Sequence, residues 1–100
     1  RKAIGFDGLI LSDDLSMKAL GGPFADRARA VFAAGLDIAL HCNGDLTEAR
    51  AVAEATPELA GASLRRAQSA LARIAGEPQP LDVEAGRAEL DALMRTDSAA

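Results

Sequence analysis

The residues best suited to chemistry stand together in Ser12-Asp13-Asp14-Leu15-Ser16-Met17. They follow Leu9-Ile10-Leu11, an apolar run short enough to be a strand buried on both faces. A carboxylate at the C-terminal end of a parallel strand lies where α/β folds bind ligands, because the loops there open away from the packed core. Consecutive side chains at a strand end point to opposite sides. The pattern therefore predicts that Asp13 and Asp14 do not act as a pair on one substrate atom: one faces a pocket, while the other caps a helix or binds backbone. A turn in which both Asp residues merely cap the following segment is the competing reading of the same residues.

Few other side chains offer chemistry. His41 is the sole histidine, and the sequence around it supplies no carboxylate or Cys ligand set, so a hydrogen-bonded structural role is favoured over a place on the pocket rim. Cys42 reads as a small buried apolar residue rather than a reactive thiol. Met17 is a second candidate for the rim, although core packing is the safer expectation. Asp13, Asp14 and His41 do not have the spacing of a metal site, and no cofactor motif is present.

The elements that must position these residues are legible in outline. Leu9-Ile10-Leu11-Ser12 is the first strand, after the turn-like Phe6-Asp7-Gly8. Gly21-Gly22-Pro23 breaks the chain, and a helix is predicted over 24–34 with Ala28, Val31 and Phe32 on one side and Gly35 as its C-terminal cap. Leu36-Asp37-Ile38-Ala39-Leu40-His41 is the second strand; Asp37 starts it at the end away from the rim, which favours a structural role. After the Asn43-Gly44-Asp45 turn, Asp45 is placed to cap a helix over 46–55, with Glu48 completing a capping box. Thr56 as N-cap and Pro57 at the first helical position predict a third helix, whose Ala60, Leu64, Ala67, Leu71 and Ile74 form one apolar stripe to pack on a sheet wall or a neighbouring helix. Gly76 ends it, Glu77-Pro78-Gln79-Pro80 connects, and a last amphipathic helix is predicted over 83–94 with a frayed tail over 96–100.

Two buried strands joined by a helix form a βαβ unit, so the strands are expected to be parallel. The 100 residues include 23 Ala but only 3% aromatics, so a core built from them alone is thin. Two parallel strands cannot cover both their faces, and the sequence begins at Arg1. Both features predict part of a larger fold whose other strands lie upstream.

Composition also narrows the function. With a net charge of −4 and no basic run longer than Arg65-Arg66, nucleic acid is not an expected partner. No apolar stretch approaches the roughly 20 residues of a membrane helix, so a membrane is not an expected partner either. The single Cys42 excludes an internal disulfide and fits a reducing compartment.

Residues 4–17, Ile4-Gly5-Phe6-Asp7-Gly8-Leu9-Ile10-Leu11-Ser12-Asp13-Asp14-Leu15-Ser16-Met17, closely resemble the nucleophile region of glycoside hydrolase family 3, above all its bacterial β-N-acetylhexosaminidases that recycle peptidoglycan fragments. Residues 33–43, Ala33-Ala34-Gly35-Leu36-Asp37-Ile38-Ala39-Leu40-His41-Cys42-Asn43, continue the likeness, and Ser63-Leu64-Arg65-Arg66 is similar in character. The resemblance implies that Asp13 is the catalytic nucleophile and leaves Asp14 without an assigned role. It implies an α/β fold, namely the C-terminal portion of a (β/α)8 TIM barrel, about its last two βα units, plus trailing helices. Residues 1–76 would belong to the catalytic barrel and 77–100 to a linker, C-terminal helix and tail.

The implied activity is a retaining β-N-acetylglucosaminidase that removes terminal N-acetylglucosamine from muropeptides in the cytoplasm. The implied partners are that sugar and the remaining N-terminal part of the barrel, which would supply the acid/base and most of the sugar pocket, so these 100 residues alone are expected to be inactive. The rival from another class is a receiver-like signalling module with an acidic pocket. It requires an Asp where His41-Cys42-Asn43 stands and a downstream Lys, whereas the only lysines are Lys2 and Lys18.

Overall fold

The computed structural model describes residues 1–99. Strand β1 (Leu11–Asp14) leads through helix α1 (Phe24–Ala33) to β2 (Ile38–Leu40), followed by α2 (Leu46–Glu54), α3 (Gly61–Ala72) and α4 (Val83–Ala99). The two strands pair in parallel, as a βαβ unit demands. What they form is one strand pair, open on both edges among the described residues.

Local signals explain most boundaries. Ala34 and Gly35 close α1 in a Schellman arrangement: the Gly35 N–H donates to Phe32 C=O (3.0 Å) and the Leu36 N–H to Val31 C=O (3.2 Å). Gly35 sits at φ +90°, a conformation that strains a residue carrying a Cβ. Asp45 caps α2 as expected, its Oδ1 accepting the Glu48 N–H at 3.0 Å. The reciprocal half of the capping box is not made, because the Asp45 N–H donates to Asn43 Oδ1 and the Glu48 carboxylate is engaged with His41 and Asn43.

Three expectations are corrected. Strand β1 starts two residues later than predicted and includes both Asp13 and Asp14. Helix α3 does not open at Thr56-Pro57: the Thr56 hydroxyl bonds back to Val52 C=O (2.7 Å), finishing α2, and α3 begins only after Ala60. The last helix runs on to Ala99, so 96–99 is helical rather than a frayed tail, while Ala100 lies outside the described residues.

The core is small. Leu15, Ala28 and Val52 are buried, with Phe24, Val31, Ala39 and Ala55 packed around them, so it lies where α1 meets α2 and the end of β1. Ala28 is fully buried, and its small side chain lets α1 approach its neighbours closely. Much apolar surface stays open. The radius of gyration is 19.2 Å, against about 13 Å for a compact domain of this length. The accessible surface is 7922 Å², against about 5,400 Å² for a folded monomer of this mass.

Helix α3 accounts for part of this excess. Its predicted apolar stripe does not pack inward: Leu64, Leu71 and Ile74 are 37%, 64% and 74% exposed. The helix is held by its polar side instead. The Ser63 hydroxyl donates to Asp37 Oδ1 (2.7 Å), and Arg66 donates to the same oxygen (2.9 Å) and to Asp7 Oδ1 (2.8 Å). Asp7 is also paired with Arg65, and the two guanidiniums hold its carboxyl below the usual range.

Asp37 is the centre of this network and is 5% exposed. Its Oδ2 accepts the Ile10 N–H (2.9 Å) and pairs with the Arg1 guanidinium. Arg1 also donates to the carbonyls of Gly35, Phe6 and Gly8. The structural role expected of Asp37 is thus met. Burial by itself would raise its pKa, but the hydrogen bonds from Ser63, Ile10 and Arg66 and the charge of Arg1 hold the carboxyl well below the ordinary range.

Replacing Asp37 by Ala strands these donors and is expected to destabilise the intact protein by about 3 kcal/mol in urea unfolding. Because the folded carboxyl titrates below its unfolded value of 3.8, its contribution is complete above that value and is lost as the pH falls toward the folded one. Unfolding midpoints measured from pH 6 down to pH 3 should therefore fall more for the wild type than for Asp37→Ala.

Candidate active site

The far end of the strand pair from Asp37 carries the acidic residues. Along β1, Leu11 faces Ile38 and Asp14 faces Leu40, so three steps on β1 span only two on β2. This is a bulge, a device that re-aims side chains at the point where it interrupts the ladder. The interruption falls on Ser12 and Asp13. The Leu40 N–H donates to Ser12 Oγ (2.9 Å), and Ser12 Oγ donates to Asp13 C=O (2.8 Å).

The two carboxylates have different fates. Asp14 Oδ1 accepts the N–H groups of Ser16 (2.9 Å) and Cys42 (3.1 Å), and Oδ2 accepts the Ser16 hydroxyl. Asp14 thereby ties the end of β1 to the end of β2. The Ser16 hydroxyl and N–H, aided by the Cys42 N–H and the neighbouring His41, hold its carboxyl below the usual range despite some desolvation. Asp13 is exposed, and its Oδ1 accepts the Asp14 N–H at 2.8 Å. No ion pair engages Asp13 among the described residues.

Asp13 and Asp14 both border a cavity of about 400 Å³ walled by Leu11, Met17, Leu20, Val31 and Leu36. Met17 is 43% exposed there, so it belongs to the rim rather than to the core. A second opening of about 270 Å³, lined by Phe32, Thr56, Leu59 and Ser63, lies beside Asp37 and holds neither strand-end carboxylate.

His41 lies at the end of β2 but is turned into the protein. Its Nε2 is 3.1 Å from Glu48 Oε2, and its ring meets the Phe24 ring edge-on at 5.5 Å. The ring is hydrogen-bonded, as expected, and its partner is the single carboxylate of Glu48 that α2 brings to it. Beneath the rim, Arg27 stacks on the Phe24 ring (4.4 Å) and donates to Leu15 C=O (2.7 Å), fixing the turn after Asp14. Cys42 is exposed, not buried. Desolvation of its sulfur and the charges of Asp14 and Asp13 raise its pKa, so the thiol is kept protonated.

Among the described residues no three His, Cys, Asp or Glu side chains cluster to hold a metal ion. Among the same residues no helix is long and apolar enough to cross a membrane. The contribution of Ser12 went unseen in the sequence. Its position at the junction of strand and acidic pair was the available signal, but a side-chain bond across to β2 is visible only once the strands are registered.

Residues 1–76 match the family model described as the glycosyl hydrolase family 3 N terminal domain. A β-hexosaminidase of Thiobacillus denitrificans is 38% identical over 88 residues, covering 78% of this chain and 21% of the relative. β-Hexosaminidases of Thioalkalivibrio sulfidiphilus and Neisseria meningitidis are each 51% identical over 45 residues, covering 43% of this chain and 13% and 12% of the relatives. The chain thus spans about a fifth or less of the relatives it matches. No solved structure matches it.

The electrostatics of the rim give a direct test. Alkylation of Cys42 by iodoacetamide at pH 7 should run several-fold slower than that of a free thiol and keep rising above pH 9. Asp14→Asn, which removes one of the charges pushing the thiol up, should speed it.

Proposed function

This chain belongs to glycosyl hydrolase family 3, and on that premise we propose that it supplies the nucleophile of a retaining β-N-acetylglucosaminidase. The observation that carries the reading is the division of labour between neighbouring carboxylates. Both line one cavity, but Asp14 is engaged by the N–H groups of Ser16 and Cys42, whereas Asp13 stands exposed with one oxygen oriented by a backbone N–H. An oriented carboxylate without a competing cation suits nucleophilic attack.

In the proposed first step an Asp13 oxygen bonds to the anomeric carbon of N-acetylglucosamine as the bond to the leaving oxygen breaks, and an acid protonates that oxygen. In the second step the same group, now a base, takes a proton from water, which attacks the anomeric carbon and frees the Asp13 carboxylate. His41 is not assigned the acid/base role, since Glu48 and Phe24 hold it in the interior. That group and most of the sugar contacts fall to parts of the relatives that this chain does not span.

Two parallel strands that both end at one rim support placing them as the last two of a (β/α)8 barrel. On this reading residues 1–76 belong to the catalytic barrel, and the connector and α4 follow it. The open apolar surface on α3 and around β1 is the kind that further strands and helices cover. The substrate would be terminal N-acetylglucosamine on peptidoglycan-derived muropeptides, handled in the cytoplasm, where the lone thiol of Cys42 is at home.

Asp13→Ala in the intact enzyme should cut turnover of an aryl N-acetylglucosaminide by about 10³-fold or more, and ordinary kcat in that variant would sink the assignment. The isolated 100 residues should show no hydrolysis of the same substrate; measurable turnover by a pure sample would refute the shared-barrel reading.

A further inference from the structure

The bulge in β1 raises the question of what holds Asp13 in its orientation. An unbroken parallel ladder advances two residues on each strand per repeat. Since the Ile38 N–H donates to Ile10 C=O (3.3 Å), the next bond in sequence would run from the Leu40 N–H to Ser12 C=O. The bulge sets Leu40 opposite Asp14 instead, and the Leu40 N–H also meets the Ser12 hydroxyl (2.9 Å). The side chain thus ties β1 to β2 at the bulge, and the ladder continues with the Leu15 N–H on Leu40 C=O (2.8 Å).

The same hydroxyl donates its proton to Asp13 C=O at 2.8 Å. That carbonyl and the Asp14 N–H belong to one peptide group, which is planar and resists twisting. Fixing the carbonyl on one side therefore fixes the direction of the N–H on the other. The Asp14 N–H is the group that donates to Asp13 Oδ1, at 2.8 Å.

We propose that Ser12 is a positioning residue for the nucleophile: its hydroxyl, anchored on β2 through Leu40, sets the plane of the Asp13–Asp14 peptide and through it the direction of the Asp13 carboxylate. The role rests on the reading of Asp13 as nucleophile. It requires a side chain that accepts one hydrogen bond and donates another from the same atom within reach of its own backbone. Ser and Thr meet this requirement and Ala does not. Ser12 is half-buried at the foot of the cavity and touches the reaction only through Asp13.

The test compares Ser12→Ala and Ser12→Thr in the intact enzyme, with kcat expressed per active site counted by covalent trapping with a fluorinated glycoside. Misdirection of an attacking group costs up to about 100-fold. Ser12→Ala should therefore lose about 10- to 100-fold in kcat with KM within about three-fold of wild type, and Ser12→Thr should recover most of the loss. A structural role alone would lower the number of active sites or the Tm without changing kcat per site, and that result overturns the proposal. So does a Ser12→Thr enzyme as slow as Ser12→Ala.

Hydrogen exchange gives a reading that needs no variant. The Leu40 amide of the wild-type enzyme should be protected, and an unprotected Leu40 amide overturns the ladder role even if Ser12→Ala fails to fold. Failure of the nucleophile reading shows separately, as retained turnover in Asp13→Ala. A Ser12→Ala enzyme of normal kcat beside an inactive Asp13→Ala enzyme overturns the Ser12 role alone.

Discussion

The buried carboxylate of Asp37 is the constraint on which the arrangement of the chain depends. Four donors from separate stretches converge on it: Arg1, the Ile10 N–H just before β1, and Ser63 and Arg66 of α3. A buried charge without partners is costly, so each segment must arrive in position for the others to be satisfied. Such networks are weak sources of net stability and strong sources of geometry, because a displaced donor has no apolar contact to fall back on. Helix α3 illustrates the point, since its polar face is docked and its leucines are not.

The clamp also sets the register of the strands. Ile10 and Asp37 precede β1 and β2, and their mutual hydrogen bonds fix the starting point of the ladder. From there the pairing proceeds to Leu11 opposite Ile38, and the extra residue of the bulge falls on Ser12 and Asp13. A shift of one residue at the clamp end would move the bulge and exchange the faces on which Asp13 and Asp14 lie. The two ends of this short sheet thus have separate tasks. One end satisfies a buried charge, and the other holds an exposed one in a chosen direction.

The core beside this sheet is small because much of it is alanine. Ala28 packs without remaining exposure, while larger apolar residues lie on outer faces of the chain. Close helix approach and a thin core are the same property seen twice: small side chains permit short distances but bury little area.

Sequence alone determined the features whose causes are local. The order of elements followed from apolar runs and Gly/Pro punctuation, the parallel pairing from the helical crossover, the cap at Asp45 from its own side chain, and the end of α1 from Gly35. The acidic pair at a strand end was also legible, because it follows directly on an apolar run in the chain itself. What only the tertiary structure decided depends on a partner distant in sequence. The apolar stripe of α3 was read correctly as a stripe, but its direction was not, because Arg66 and Ser63 answer to Asp37, nearly thirty residues away. Thr56 was read as opening α3 when its hydroxyl closes α2, since one side chain can serve either helix until their spacing is known. Glu48 at His41, the exposure of Cys42 and the Ser12 bond to Leu40 were beyond the sequence for the same reason. Local pattern states which groups a residue offers, and only the folded register states which group from elsewhere takes them.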